Sequence, residues 1–383
     1  MQDRRDPPPV ISRAIRARRT GGRFLVVRLS ALGDVLHALP AAAALRLARP
    51  DARIDWLVED RCAAILDGHP VVDQVHVVPR DRWRRALRRP WEWPTLVAGL
   101  GRLVGGLWAC RYDAAIDLQG NAKSGIWSLL SGAPARLGLR TDEVREGNGL
   151  LTNRHVRAPD YAVHRVDRAL AVVAAAVGRA SVRHAAAAVP RAPGDREWVD
   201  RALTKVNLPA RGFIVVHPGT SGFGSFKRWP PKQFGKLAQR LAEAGSRTVV
   251  TVGPSEATLG AEVAEASGGT AVVLAPPSLR ALAELVSRAR VFVSADTGPL
   301  HIAAAEGVPV VALFGPKDAA VYGPVRSDRS DAVAGRVTVG VVVTQVDVTC
   351  RPCELRRCPD PVCMTSIDVE SVVEAIGRAV ALA

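Results

Sequence analysis

No run in this 383-residue chain approaches the about eighteen uninterrupted apolar residues needed to span a bilayer. The opening stretch, MQDRRDPPPVISRAIRARRTGG, is Arg-rich and lacks the apolar centre of a secretory signal. It reads as a basic extension over residues 1–20, and a soluble cytoplasmic protein is the expectation. Gly (33) and Pro (27) are too few and too scattered for a collagen-like or disordered chain. Neither domain opens with three spaced glycines or with Gly-Lys-Ser/Thr, which argues against a dinucleotide-dependent dehydrogenase and a P-loop enzyme. Lysine is scarce as well: only six of 52 basic residues are Lys.

What is present is arginine. Against 37 acidic residues the formal net charge is +15, and the stretches 1–28 and 80–111 hold +6 each. Such a local excess implies an anionic partner: nucleic acid, acidic lipid or a phosphorylated substrate. In RDRWRRALRRPWEWPTLVAGLGRLVGGLWACRYD, four tryptophans (Trp83, Trp91, Trp93 and Trp108) lie among Arg, Leu and Val. This suits a membrane interface with acidic headgroups or a single-stranded nucleic-acid platform. The plain alternative is a solvated basic helix whose tryptophans enter the core.

With 48% hydrophobic residues the chain has apolar content and length for two domains. Apolar strand-like runs (RFLVVRL, RIDWLVE, QVHVVP, YDAAIDL) alternate with helical ones, the rhythm of a doubly wound parallel sheet. The pattern lapses near 179–197 and restarts at GFIVVHP. The reading is an N-terminal domain over 21–185, a linker over 186–198 and a C-terminal domain over 199–383. Ligands of such sheets bind beyond the carboxyl ends of the strands, so function belongs in the strand-to-helix loops and in the cleft between the domains.

Loop 29–35 offers one carboxylate, Asp34, as either a helix cap or a general base. Loop 217–230, HPGTSGFGSFKRWP, combines small residues, the hydroxyls of Thr220 and Ser221, and the charges of Lys227 and Arg228. With the helix that follows it makes a seat for phosphate. Asp296-Thr297-Gly298 lies between a strand and a helix, a context unlike the all-β aspartic proteases. Gly298 and the new helix's amides can face another part of a ligand, flanked by Asp296 and His301. Cys350, Cys353, Cys358 and Cys363 lie within fourteen residues, a grouping that suggests zinc before disulfides; packed free thiols are the default reading, and a structural zinc held by all four is the alternative.

As a set, RLSALGDVLHALPA, IDLQGNAKSG, REGNGLLTNRHV, KRWPPKQF, DTGPLHIAAA and VALFGP resemble the ADP-heptose:lipopolysaccharide heptosyltransferases, glycosyltransferase family 9, in order from about Arg23 to Ile376. Two of these segments are more similar to the type that adds the first heptose than to the second. The resemblance implies an α/β GT-B fold: two Rossmann-like domains with parallel sheets facing across a cleft, acceptor on the first and nucleotide-sugar on the second. It implies inverting, metal-independent transfer from ADP-heptose to a Kdo-lipid A acceptor, with no cofactor. By it Asp34 is the general base and Lys227 neutralises the departing diphosphate near Thr220 and Ser221. Glu256 holds the ribose, Pro277 lies beside adenine, Asp296 binds heptose hydroxyls, and Thr297 and Gly298 line the phosphates. Arg61, Lys123 and Arg136 are expected acceptor contacts. The expected protein is a monomer peripherally associated with the inner membrane through its basic, Trp-bearing surface, with no nucleic-acid partner. A sibling transferase with another acceptor or nucleotide-sugar, and a basic nucleic-acid-binding module, are the alternatives.

Overall fold

The computed structural model describes residues 21–160, 162–182, 188–220, 222–325, 341–353, 355 and 357–382; the extension over 1–20 lies outside them. The chain divides into two compact units between residues 187 and 188.

The first unit runs β1 (Arg23–Val27), α1 (Leu32–Ala48), β2 (Arg53–Glu59), α2 (Asp60–Ala63), β3 (Gln74–Val78), α3 (Arg80–Ala86), α4 (Trp93–Ala109), β4 (Ala114–Asp117), α5 (Ala122–Leu130), β5 (Ala135–Leu139), β6 (Arg154–Val156) and α6 (Arg165–Ala176). Its six strands are parallel, in the order β3-β2-β1-β4-β5-β6. From Phe24 through Val27 every residue of β1 is buried, as a strand covered on both faces requires. Leu25, Val27, Leu57, Leu107, Tyr112 and Trp127 belong to one core cluster of this unit.

The second unit runs α7 (Pro193–Lys205), β7 (Phe213–His217), α8 (Pro231–Glu243), β8 (Arg247–Thr251), α9 (Ala257–Ala266), β9 (Ala271–Leu274), α10 (Leu279–Ser287), β10 (Val291–Ala295), α11 (Gly298–Ala305), β11 (Val310–Leu313), α12 (Ala319–Tyr322), β12 (Val341–Thr344), α13 (Val362–Thr365) and α14 (Val369–Ala381). Its strand order, β12-β11-β10-β7-β8-β9, is the same scheme read from the other edge. The core gathers Val216, Trp229, Phe234, Val293, Met364 and Ile376 from sheet and helices.

The connection read over 186–198 is helical from Pro193 onward. Pro-Gly looks like loop punctuation, but Pro sits comfortably in a first helical turn, where its missing N–H costs nothing. Asp195 completes that start by accepting from the Ala192 N–H at 2.9 Å, and Val199 and Leu203 turn inward.

Parallel order reverses between β1 and β4 in one sheet and between β7 and β10 in the other. Ligand sites of doubly wound sheets sit at the carboxyl ends of the strands at such a reversal. Loops 29–31 and 118–121 flank the first; loops 218–230 and 296–297 flank the second.

Candidate active site

In the first unit, β1 is followed directly by Arg28, a buried charge only 4% exposed. Its guanidinium donates to the Leu118 carbonyl at 2.6 Å and meets the Asp34 carboxylate at 2.8 Å. Asp34 is not the helix cap: Ala31 is, and Asp34, three residues on, accepts from the Ala31 N–H at 3.2 Å. Burial works against the charged carboxylate, but Arg28, Arg165 at the start of α6 and the Ala31 amide together hold its pKa below the ordinary value. Asp34 is therefore ionised at neutral pH. Its side chain keeps 30% of its surface exposed, so it can meet a proton donor from solution.

Glu59 closes β2 at the same edge of the sheet and is 1% exposed. Three cations converge on it: Lys123 at 2.5 Å, Arg61 at 2.9 Å and Arg80 at 3.5 Å. Two expected acceptor contacts, Arg61 and Lys123, are thus brought together by a carboxylate that the motif reading passed over. The signal was available as an acid at the carboxyl end of a strand. Arg136 is not part of this group. It lies near the amino end of β5, aligned with Ala115, and donates to the carbonyls of Leu151 (2.9 Å) and Ala133 (3.2 Å).

Asp117 shapes the loop that leads into α5 and its Lys123. Its carboxylate accepts from the Gln119 and Gly120 amides (2.9 and 3.0 Å), the Ser124 hydroxyl (2.8 Å) and Asn148 Nδ2 (2.7 Å). Gln119 in turn accepts from the Leu29 N–H at 2.8 Å, which links this loop to the one before Asp34. Two sequence segments 31 residues apart, IDLQG and REGNG, therefore meet at one buried carboxylate. Asp117→Ala strands these donors, and we expect it to lower unfolding stability by about 3 kcal/mol, read as a reduced denaturant midpoint at unchanged slope.

In the second unit, Trp229 is fully buried, stands edge-on to Phe234 (4.8 Å) and donates to the Ile367 carbonyl at 2.9 Å. This anchor fixes the exit of loop 218–230 and with it Lys227 and Arg228. Arg228 donates to the Thr220 hydroxyl at 2.9 Å and its carbonyl at 3.3 Å, leaving the hydroxyl proton to donate to an anion. Ser221 lies outside the described residues. Glu256 accepts from the Gly253 amide at 2.8 Å and lies against Gly219, where an added Cβ would come within 2.2 Å of its carboxylate oxygen. Beneath it, burial lowers the pKa of His217 and keeps the ring neutral, with Nδ1 3.1 Å from the Thr251 hydroxyl.

Lys227 Nζ reaches Asp296 Oδ2 at 2.6 Å, bringing two expected site residues together. His301, only 6% exposed, approaches the other carboxylate oxygen at 3.5 Å and backs Asp296 from inside α11. Thr297 caps α11 by position, but its side chain makes no capping bond; its hydroxyl is 3.1 Å from Ser294 Oγ. The first-turn amides of α11, beginning at Gly298, thus lack a side-chain cap and suit an anion. Pro277 is exposed in the loop before α10.

Burial raises the Asp296 pKa, yet the His301 hydrogen bond and the Lys227 charge outweigh it and hold the group at about 2. A carboxyl with a depressed folded-state pKa stabilises the fold above its unfolded value near 3.8 and loses that contribution as pH falls toward 2. The amount is about 2 kcal/mol. Asp296→Asn removes this dependence, so between pH 5 and pH 3 the variant is expected to lose less unfolding free energy than wild type in urea titrations.

The four clustered cysteines are free thiols. Among the described residues the one grouping of three metal-ligating side chains is Asp55, His76 and Cys110. Cys363 is buried in the core cluster, and burial, with Cys350 and Cys358 near enough to add to it, pushes its thiol pKa up. Cys350 is exposed, and the intervening segment is held by backbone contacts: Cys353 N–H to the Pro316 carbonyl (2.8 Å) and Arg351 to the Gly315 carbonyl (2.7 Å). The Asp55 group lies toward the amino ends of β2 and β3, away from the site loops. Its carboxylate is already engaged by Arg53 (3.0 Å), the Tyr112 hydroxyl (2.6 Å) and His76 (3.5 Å).

Residues 100–336 match the family described as glycosyltransferase family 9 (heptosyltransferase). Lipopolysaccharide heptosyltransferase 1 of Pseudomonas aeruginosa is 32% identical over 337 residues, 88% of this chain and 87% of its own length. The protein of that name from Escherichia coli K12 is 30% identical over 304 residues, 79% and 90% of the two chains. Among solved structures, E. coli heptosyltransferase WaaC with ADP superposes with a TM-score of 0.70 at 27% identity, covering 93% of this chain and 99% of that one. WaaC with ADP-2-deoxy-2-fluoro heptose gives 0.66 at 28%, covering 92% and 99%. The two Rossmann-like units are those of the GT-B class, and the chain belongs to glycosyltransferase family 9, the heptosyltransferases.

Proposed function

We propose that this enzyme transfers heptose from ADP-heptose to the Kdo-lipid A inner core in lipopolysaccharide biosynthesis, with inversion and without a metal. The observation that carries the reading is Asp34: a partly exposed carboxylate, held ionised by Arg28, at the switch point of the first sheet. In this scheme an acceptor hydroxyl attacks the anomeric carbon, Asp34 takes the hydroxyl proton, and the bond from that carbon to the ADP oxygen breaks. The diphosphate leaves carrying the bonding electrons. Lys227, the Thr220 hydroxyl and the α11 amides supply positive charge and donors for it, with Ser221 assigned to the same group.

The remaining assignments follow the same division. Glu256 takes the ribose hydroxyls, Asp296 with His301 behind it takes heptose hydroxyls, and Pro277 offers a small apolar face to adenine. Arg61 and Lys123, gathered on Glu59, meet the phosphorylated acceptor. WaaC structures bearing ADP and a fluorinated ADP-heptose support the donor. No helix among the described residues is long and apolar enough to cross a membrane, and the enzyme is proposed to work as a monomer peripherally at the inner face of the cytoplasmic membrane.

The test is the stereochemistry of the product. With ADP-heptose and Kdo-lipid A in chelator, NMR should show a new glycosidic bond inverted relative to the donor, and ADP should be favoured over UDP as a competing ligand. A retained anomer would remove Asp34 from its role, and tighter UDP binding would point to another nucleotide-sugar.

A further inference from the structure

We infer that α3 and α4 form an in-plane anchor that docks the first unit on an anionic bilayer, an inference that rests on the lipid-linked acceptor proposed above. Helix α4, WPTLVAGLGRLVGGLWA, has 17 residues and a single charge, Arg102, yet only Leu107 is fully buried. Leu103 and Val104 lean on the core of the unit. Outward stand Trp93 (51% exposed), Val97 (67%) and Trp108 (61%), with Trp91 (75%) just before the helix. On a helix, residues 93, 97, 100 and 108 share one side, so the exposed apolar side chains form a stripe beside the core-facing Leu103, Val104 and Leu107 rather than a scatter. A monomeric protein in water rarely shows such a continuous apolar face.

Of the four tryptophans, Trp83 does turn inward and stacks on Trp127 at 6.1 Å. The other three are exposed, and Trp108 holds its indole N–H on the Leu130 carbonyl at 2.8 Å. Leu130 ends α5, whose Ile126 and Leu129 are also exposed, so the apolar surface continues onto that helix.

Charge selects the occupant. Arg82, Arg84, Arg85, Arg88 and Arg89 are all exposed on and after α3. The nearby acids are few: Glu92 pairs with Arg89 at 2.9 Å and Asp81 with Arg80 at 3.9 Å. Among the described residues, Arg82, Arg84, Arg85 and Arg88 pair with no carboxylate. A cavity of about 360 Å³ between the helices is lined by Arg82, Trp83, Leu96, Arg102 and Leu103 among others, cationic and apolar at once. A nucleic acid would stack on ring faces alone, whereas the exposed Val97 and Leu100 that interrupt the tryptophans suit acyl chains, and a bilayer interface takes valine, leucine, tryptophan and arginine together. Helix α3 leaves the carboxyl end of β3, and Arg80 at its start pairs with Glu59, so this surface adjoins the Arg61–Lys123 group. A membrane-embedded acceptor would thus be presented at the edge where Asp34 lies.

Full-length protein should float with vesicles of phosphatidylcholine and phosphatidylglycerol, and less with phosphatidylcholine alone. The triple variant Trp91→Ser, Trp93→Ser, Val97→Ser should lower the bound fraction about tenfold or more. Arg84→Glu with Arg88→Glu should lower binding to anionic vesicles by about as much and leave the weak neutral-vesicle binding unchanged. Both variants should lose activity on Kdo-lipid A in vesicles and keep wild-type rates on deacylated, water-soluble acceptor. Wild type that stays with the aqueous phase, variants that float like wild type, or salt-sensitive oligonucleotide binding in place of vesicle binding would overturn the anchor. Vesicle binding with no turnover of either acceptor would leave the anchor standing and defeat the transferase reading instead.

Discussion

Asp34→Asn is expected to reduce kcat for heptose transfer by about 10²- to 10⁴-fold, the range over which a positioned general base acts. Asparagine keeps an oxygen to accept from the Ala31 N–H but cannot take a proton. Arg28 loses its anionic partner and keeps its 2.6 Å bond to Leu118, so a stability loss of about 1–2 kcal/mol should accompany the change. That loss is too small to unfold the enzyme, and unfolding curves measured beside the kinetics separate the two effects. ADP affinity should stay at the wild-type value, because the donor residues belong to the other unit. The sign of the pH dependence follows from the same geometry. The Asp34 pKa is held below its ordinary value, so the base stays ionised from neutral pH down through pH 5. Its titration therefore contributes no loss of kcat/KM in that interval. An acid limb with a midpoint near 6 would mean that another group is the base.

Lys227→Ala should lower kcat/KM by about 10²- to 10³-fold, since a metal-independent enzyme must meet leaving-group charge with side chains and amides. ADP binding measured by calorimetry should weaken as well, in contrast to Asp34→Asn. Lys227 is 2.6 Å from Asp296 before any donor arrives, so a diphosphate must draw the ammonium into a shared arrangement. Removing the lysine also removes one of the influences that hold Asp296 at about 2, and its pKa should rise toward the ordinary carboxylate value. Lys227→Arg restores charge with a planar, longer group and should recover only part of the rate.

Much of this arrangement was legible because it is written locally. Buried parallel strands appear as continuous apolar runs, so RFLVVRL, RIDWLVE and GFIVVHP announced β1, β2 and β7, and the loops after β1, β4, β7 and β10 were found by position. Contacts joining distant residues were not legible. Arg28 meets a loop 90 residues away, and Asp117 meets Asn148 across 31. Glu59 gathers cations from three elements, and no local pattern marks that. Arg136 shows the converse: its residue type suited an anionic acceptor, but its place near the start of β5 commits it to backbone carbonyls. Cysteine spacing likewise did not reveal burial: Cys363 is folded into the core, while Cys350 faces solvent.

The most direct test of the account is a transfer assay read by mass spectrometry, with purified enzyme, ADP-heptose and Kdo-lipid A in the presence of chelator. A product heavier than the acceptor by one heptose, with stoichiometric ADP, is the predicted result. Intact acceptor together with an enzyme that fails to bind ADP would contradict it.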